Sequence, residues 1–208
     1  MAPAAPERDK ILKFSLDKFT SEGFYKTSMD EIARELQVSK KTIYKYFPSK
    51  QKLLHAISED LIYCVRCDIE DIIDTDESVI VKFVKIFNVY SSRLMKISDK
   101  WYRDLQLHAP EIWRNIDRLR TERIYSVMHK LLKQGKREKL IEDYPTEIIV
   151  ASFVATIRAV INPEFILRNK FSIGQAFRYT FEMLMNAILT KQGREKYLKT
   201  KQLFEKEL

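Results

Sequence analysis

Between residues 7 and 22 the apolar positions Ile11, Leu12, Leu16 and Phe19, with Ser15 among them, recur every three or four residues. That period places them on one stripe of a helix, which stops at Gly23. Residues 28–36 form a shorter helical run that opens on Ser28-Met29-Asp30-Glu31. This is the spacing of a capping box: the serine hydroxyl accepts from the Glu31 amide, and the glutamate reaches back to the Ser28 amide. Ser39 caps a third short helix, 40–47, and Pro48-Ser49 ends it and opens a fourth from 50 to about 74. Beyond Asp76 the segments are longer and more apolar, near 79–98, 100–108, 111–135, 145–162 and 173–191.

Punctuation sharpens this picture. Gly23, Gly135, Gly174 and Gly193 are the only glycines, and the six prolines fall mostly between periodic segments. A chain so poor in helix breakers, without alternating runs flanked by Asn-Gly or Asp-Gly, reads as all-α. The 208 residues are 45% hydrophobic and 32% charged, a composition that suits a folded chain and not a disordered one. No apolar run approaches the roughly 18–20 residues of a membrane span. Met1-Ala2-Pro3-Ala4-Ala5-Pro6 lacks the basic flank and apolar core of a signal peptide, so a cytoplasmic location is expected.

Net charge is +8, and its placement says more than its size. Five lysines (Lys40, Lys41, Lys45, Lys50 and Lys52) lie between Gln37 and His55, a stretch with no Asp or Glu. A weaker basic stretch, 191–208, reads as a solvated, fraying helix end. Residues 28–47 form a helix, a short turn and a second helix. Ile32, Ala33 and Leu36 supply one buried face, and Val38, Ile43 and Phe47 the opposing one. Ala33 allows the close crossing that a helix-turn-helix needs. The opposite face of the second helix then presents Lys40, Lys41, Thr42, Tyr44 and Lys45 to solvent, with its first turn able to reach into a major groove. Lysines there can meet guanine or phosphate, and Thr42 a base edge or thymine methyl. Tyr44 and Tyr46 can bond phosphates, and Thr27, Ser28 and Lys50 sit at helix N-termini that favour an anion.

Thr27-Ser28-Met29-Asp30-Glu31-Ile32-Ala33, followed by Val38-Ser39-Lys40-Lys41-Thr42-Ile43-Tyr44-Lys45-Tyr46-Phe47-Pro48-Ser49-Lys50, resembles the N-terminal signature of the tetracycline-repressor (TetR) family. The likeness covers about residues 7–62. It implies an all-α homodimer of about nine helices, with a helix-turn-helix DNA-binding domain at 7–62 and a divergent helical half at 63–208 that binds an effector and dimerises. Two positions depart from the pattern. Gln37 and Lys41 each stand where the family often has glycine, so a left-handed backbone at Gln37 would cost more, and Lys41 offers an added phosphate contact or an altered base preference.

In the C-terminal half, residues 147–161 are apolar nearly all round, which indicates burial on more than one side. Ala151, Ser152, Ala155 and Ala159 would allow close helix approach, and Phe177, Phe181, Leu184, Met185 and Ile188 line the last apolar helix. Together they would build a four-helix dimer interface or, alternatively, intrachain core. Candidate effector-lining residues are Trp101, Tyr102, Leu105, His108, Trp113, Tyr125, Met128 and Arg158, although the aromatics could equally fill a core. A buried Arg158 would need a partner, first an internal carboxylate such as Glu182, otherwise an anionic ligand.

Cys64-Val65-Arg66-Cys67 has CxxC spacing, but it lies on a helix without a second ligand pair, so two reduced cysteines are expected. No phosphate-binding loop, dinucleotide fingerprint, nucleophile elbow or metal-protease motif occurs, so neither a cofactor nor an enzyme is expected. The sequence thus points to a regulator of double-stranded DNA, a repressor released from a palindromic operator by a small molecule. Alternatives are a DNA-binding regulator without an effector, and a helical enzyme or carrier with a vestigial helix-turn-helix.

Overall fold

Eleven α-helices and one isolated antiparallel bridge, Ile141 to Leu189, make up the described residues of this computed structural model, 6–169 and 171–206. The N-terminal five residues, read above for a targeting signal, lie outside the described residues. Helices α1 (Pro6–Glu22), α2 (Met29–Glu35) and α3 (Lys40–Tyr46) close around the first turns of α4 (Lys50–Ile73). Ile11, Phe19, Ile32, Ile43, Phe47 and Leu53 are buried together there, each worth roughly 1.5–3 kcal/mol of transfer from water.

The short helices are set by their caps. Ser28, Ser39 and Ser49 each accept a bond from the amide three residues on, at 3.1, 3.0 and 3.2 Å. Each such cap contributes about 1 kcal/mol, which matters for helices of seven residues. The return half of the expected capping box is weakened, because Glu31 turns mainly to Lys18. Lys18 is buried on α1, and its ammonium lies 3.1 Å from Glu22, 3.2 Å from Glu31 and 3.0 Å from Glu35. Burial opposes the charge, yet the three carboxylates together hold the Lys18 pKa above the usual lysine range. This ion cluster fastens α2 to α1.

Helix α4 runs through residues 62–63 without a break and packs on α5 (Val79–Leu94) and α7 (Pro110–Arg137). α6 (Asp99–His108) bridges α1 and α9 (Pro163–Arg168), while α8 (Thr146–Val160) lies between α7 and α10 (Ile173–Ile188). Three segments differ from expectation. The 79–98 segment ends at Leu94, because the Ser98 hydroxyl instead caps α6 by accepting from the Trp101 amide at 3.3 Å. The 145–162 segment stops at Val160, and Asn162 caps the six-residue α9 through the Phe165 amide at 2.9 Å.

The tail expected to fray is α11 (Lys191–Lys206), docked on α5. Thr190 starts it: its hydroxyl accepts from the Gly193 amide at 3.0 Å and donates to the Lys139 carbonyl at 3.1 Å. Gly193, Tyr197 and Thr200 are buried along one side, while Lys191, Arg194, Lys196 and Lys199 lie on the outer face. Among the described residues no helix is long and apolar enough to cross a membrane.

Candidate DNA-binding surface

Burial of Ile43 and of the capping residue Phe47 fixes which side of α3 faces outward. Lys40, Lys41, Tyr44 and Lys45 are exposed on that side, and Thr42 is half-buried beside them. Tyr44 is 45% exposed, so its ring stands clear of the core. Among the described residues Lys41 and Tyr44 have no side-chain bonding partner, whereas Lys40 pairs with Asp30 of α2 and Lys45 lies 5.2 Å from the Tyr46 ring. The Thr42 hydroxyl shares a 2.8 Å bond with the Ser39 hydroxyl. The turn between α2 and α3 carries Gln37 at φ 56°, the left-handed conformation in which glycine would be less strained.

Several residues expected on phosphates are engaged elsewhere. Thr27 is buried, and its hydroxyl donates to the Gly23 carbonyl at 3.2 Å, closing the α1–α2 loop. The Ser28 hydroxyl is committed to its cap. Tyr46 is half-buried, with its hydroxyl 3.5 Å from Glu7. The Lys50 ammonium donates to the Tyr25 carbonyl at 2.7 Å. Burial draws its pKa below the lysine range, opposed by Asp104 and Glu31. Tyr25 and Lys26, absent from the sequence-based set, are exposed just before α2. Their signal was weak, since neither sits on an apolar-periodic element.

Residues 11–57 match the model of the family described as "Bacterial regulatory proteins, tetR family". This segment of the chain is thus of the tetR type. The chain is similar to the uncharacterized HTH-type transcriptional regulator YvaF of Bacillus subtilis (strain 168), with 24% identity over 180 residues, 86% of this chain and 94% of that protein. In fold it is similar to a transcriptional regulator from Cytophaga hutchinsonii ATCC 33406, at a TM-score of 0.70 and 16% identity over 89% of this chain and 100% of that one. It also resembles a gamma-butyrolactone receptor (ArpA-like protein), at a TM-score of 0.66 and 16% identity over 97% of each chain. The chain is thus a DNA-binding transcriptional regulator with a tetR-type N-terminal domain.

Outside the tetR-type domain, the candidate effector residues do not converge. Trp101, Tyr102, Leu105 and Met128 are core, and Trp113 is half-buried with its ring 6.1 Å from that of Tyr102. His108 and Tyr125 are exposed, and His108 stacks on Tyr25 with ring centroids 3.6 Å apart. Arg158 is corrected outright: its side chain is 58% exposed and its partner, at 3.0 Å, is Asp117. Glu182 pairs with Lys201 instead.

The proposed dimer residues divide by helix. On α8, Ala151, Ser152, Ala155 and Ala159 are exposed. On α10, Phe177, Phe181, Met185 and Ile188 are buried within the chain, and Phe177 and Phe181 pack on Phe87. The outward side of α10 is Tyr179, Met183 and Ala187, with Leu184 half-buried. A shallow groove of about 200 Å³ between α8 and α10 is lined by Tyr144, Ile148, Ser152, Leu184 and Ala187, among others.

Cys64 and Cys67 are free thiols, and burial, followed by Asp60, pushes the Cys64 pKa up. That disfavours the reactive thiolate. Among the described residues no group of three or more His, Cys, Asp or Glu side chains is placed to hold a metal ion.

Proposed function

We propose that this regulator binds a palindromic operator as a homodimer and represses transcription until a small-molecule effector releases it. The outward face of α3 carries the reading: Lys41 and Tyr44 stand exposed on a short helix whose other side is locked into the core. Lys40, Lys41, Thr42 and Tyr44 would read bases, and Lys45, Tyr25 and Lys26 would hold phosphates. One such helix spans few base pairs, so two related by a dyad, about 34–36 Å apart, would read a palindrome. The exposed stripes on α8 and α10 suit a second copy of the chain.

An effector is supported by unpartnered polar atoms inside the C-terminal half. Thr121 Oγ1 and the Nε atoms of Arg120 and Arg123 are buried with no hydrogen-bond partner among the described residues, and a polar ligand would satisfy such groups. A regulator without an effector is favoured by the close packing of Trp101, Tyr102, Leu105 and Met128, which leaves the sequence-predicted pocket filled.

The DNA reading is tested by gel shift on a duplex selected by the wild-type protein from random sequence. Lys41→Ala and Tyr44→Ala should each weaken binding by roughly tenfold or more, and wild-type affinity should fall steeply with salt. Unchanged affinity in both variants with a shallow salt dependence would exclude this face as the reader.

A further inference from the structure

The α1–α2 loop is held by a residue eighty positions away. The amides of Phe24 and Tyr25 both point at one oxygen of Asp104 on α6, at 2.6 and 2.7 Å. Two successive amides converging on one carboxylate oxygen form an anion nest with charge-assisted bonds. The preceding residue shows how closely α6 approaches. Gly23 has φ 85°, and a Cβ there would lie 2.7 Å from the same Asp104 oxygen and 3.1 Å from Lys100 Cβ.

From the other side, Lys50 at the start of α4 grips the Tyr25 carbonyl at 2.7 Å. Around this point Phe24 meets Trp101 edge-on at 5.5 Å, Tyr25 stacks on His108, and the Ser98 amide donates to the Thr20 carbonyl at 2.8 Å. The loop leads directly into the α2–α3 unit. Whatever fixes residues 23–25 therefore fixes the pose of the reading helix relative to α6.

We infer that Asp104 is a positioning residue for DNA binding: its carboxylate, seated on the Phe24 and Tyr25 amides, holds the helix-turn-helix unit in register with α6 of the C-terminal half. The inference rests on the reading of α3 as the DNA-contacting helix. Asp104 touches no DNA in this scheme and acts through the loop alone.

The test uses the full chain and two readouts. Hydrogen exchange of the segment 20–28, measured without DNA, should be roughly tenfold faster in Asp104→Ala than in wild type, while α8 and α10 exchange as before. Affinity for a duplex selected by the wild-type protein should fall roughly five- to tenfold in Asp104→Ala. Asp104→Asn should restore most of the protection and most of the affinity, because a carboxamide oxygen can take the place of the bonded carboxylate oxygen. Lys41→Ala should weaken DNA binding without altering exchange of 20–28, which separates reading from positioning. Unchanged exchange in Asp104→Ala would overturn the latch, and faster exchange with affinity held within twofold would overturn its link to DNA. If the wild-type chain selects no duplex at all, the DNA reading falls, and with it the positioning role, whatever the exchange comparison shows.

Discussion

Lys18 is a lysine on the buried stripe of an amphipathic helix, where period alone calls for an apolar side chain. Its three carboxylate partners come from the end of α1 and from successive turns of α2, so one ammonium joins two helices. Lys18→Met would keep the stem's packing and leave three neighbouring carboxylates to repel one another. Stability at pH 7 should drop by roughly 1–2 kcal/mol in urea unfolding. The pH dependence has a definite sign. Hydrogen bonding to Lys18 is the main cause that lowers the Glu31 pKa in the folded chain, so the unfolded chain binds more protons on the acid side. The wild-type advantage is full above the ordinary glutamate pKa and is lost as pH falls through the lowered one. The gap between wild type and Lys18→Met should therefore narrow from pH 7 to pH 3; a constant gap would argue against the cluster. At this scale the sequence was legible where backbone chemistry decides. Ser28, Ser39 and Ser49 cap as read, and Gln37 takes the left-handed backbone that glycine favours. It was illegible where a polar atom chooses among distant partners, as with Thr27, Lys50 and Arg158.

Elements were readable in proportion to their length and their apolar period. α1, α4 and α7 lie within a few residues of expectation, while α9, with six residues and Pro163 in its first turn, offers too short a pattern to register. α11 was hidden for another reason. Its exposed face is basic, and its docked side is carried by Gly193, Tyr197 and Thr200, which together make a poor hydrophobic signature. Gly193 looks like a helix terminator but sits in the first turn of α11, where the chain passes against the Leu140 carbonyl. A Cβ at that position would lie 2.0 Å from the carbonyl oxygen, and backbone on both sides leaves little room to yield. Gly193→Ala should cost about 1–3 kcal/mol, expose Tyr197 and open α11 to limited proteolysis. An unchanged melting temperature and protease pattern would return α11 to the status of a loosely held tail.

At the scale of the whole molecule, the proposed homodimer needs one surface that can meet a second copy. Period and composition marked α8 and α10 as the two most apolar late helices, but a helix apolar on several sides does not reveal which side faces its own chain. The structure separates them: Ile149, Val150 and Phe153 of α8 face inward, while Ile148, Ala151, Ser152 and Ala155 face out. On α10 the large aromatics turn inward and Tyr179 and Met183 turn out, the reverse of the choice that side-chain size suggests. Ile148 and Met183 are 62% and 61% exposed, so a charge at either leaves the subunit core intact. In a two-fold interface each substitution is introduced twice, and carboxylates near the dyad would be desolvated and would repel each other. If the proposed homodimer forms through these faces, Ile148→Glu and Met183→Glu should shift it to monomer in sedimentation velocity at micromolar concentration, with the helical circular dichroism signal retained. Affinity for the selected duplex should then fall by roughly a hundredfold, because a monomer holds one half-site with one set of phosphate contacts. Phe177→Glu, placed in the core, should instead lose the helical signal. A dimer that survives both exposed substitutions would move the interface to another face of the molecule, and with it the spacing of the two α3 helices.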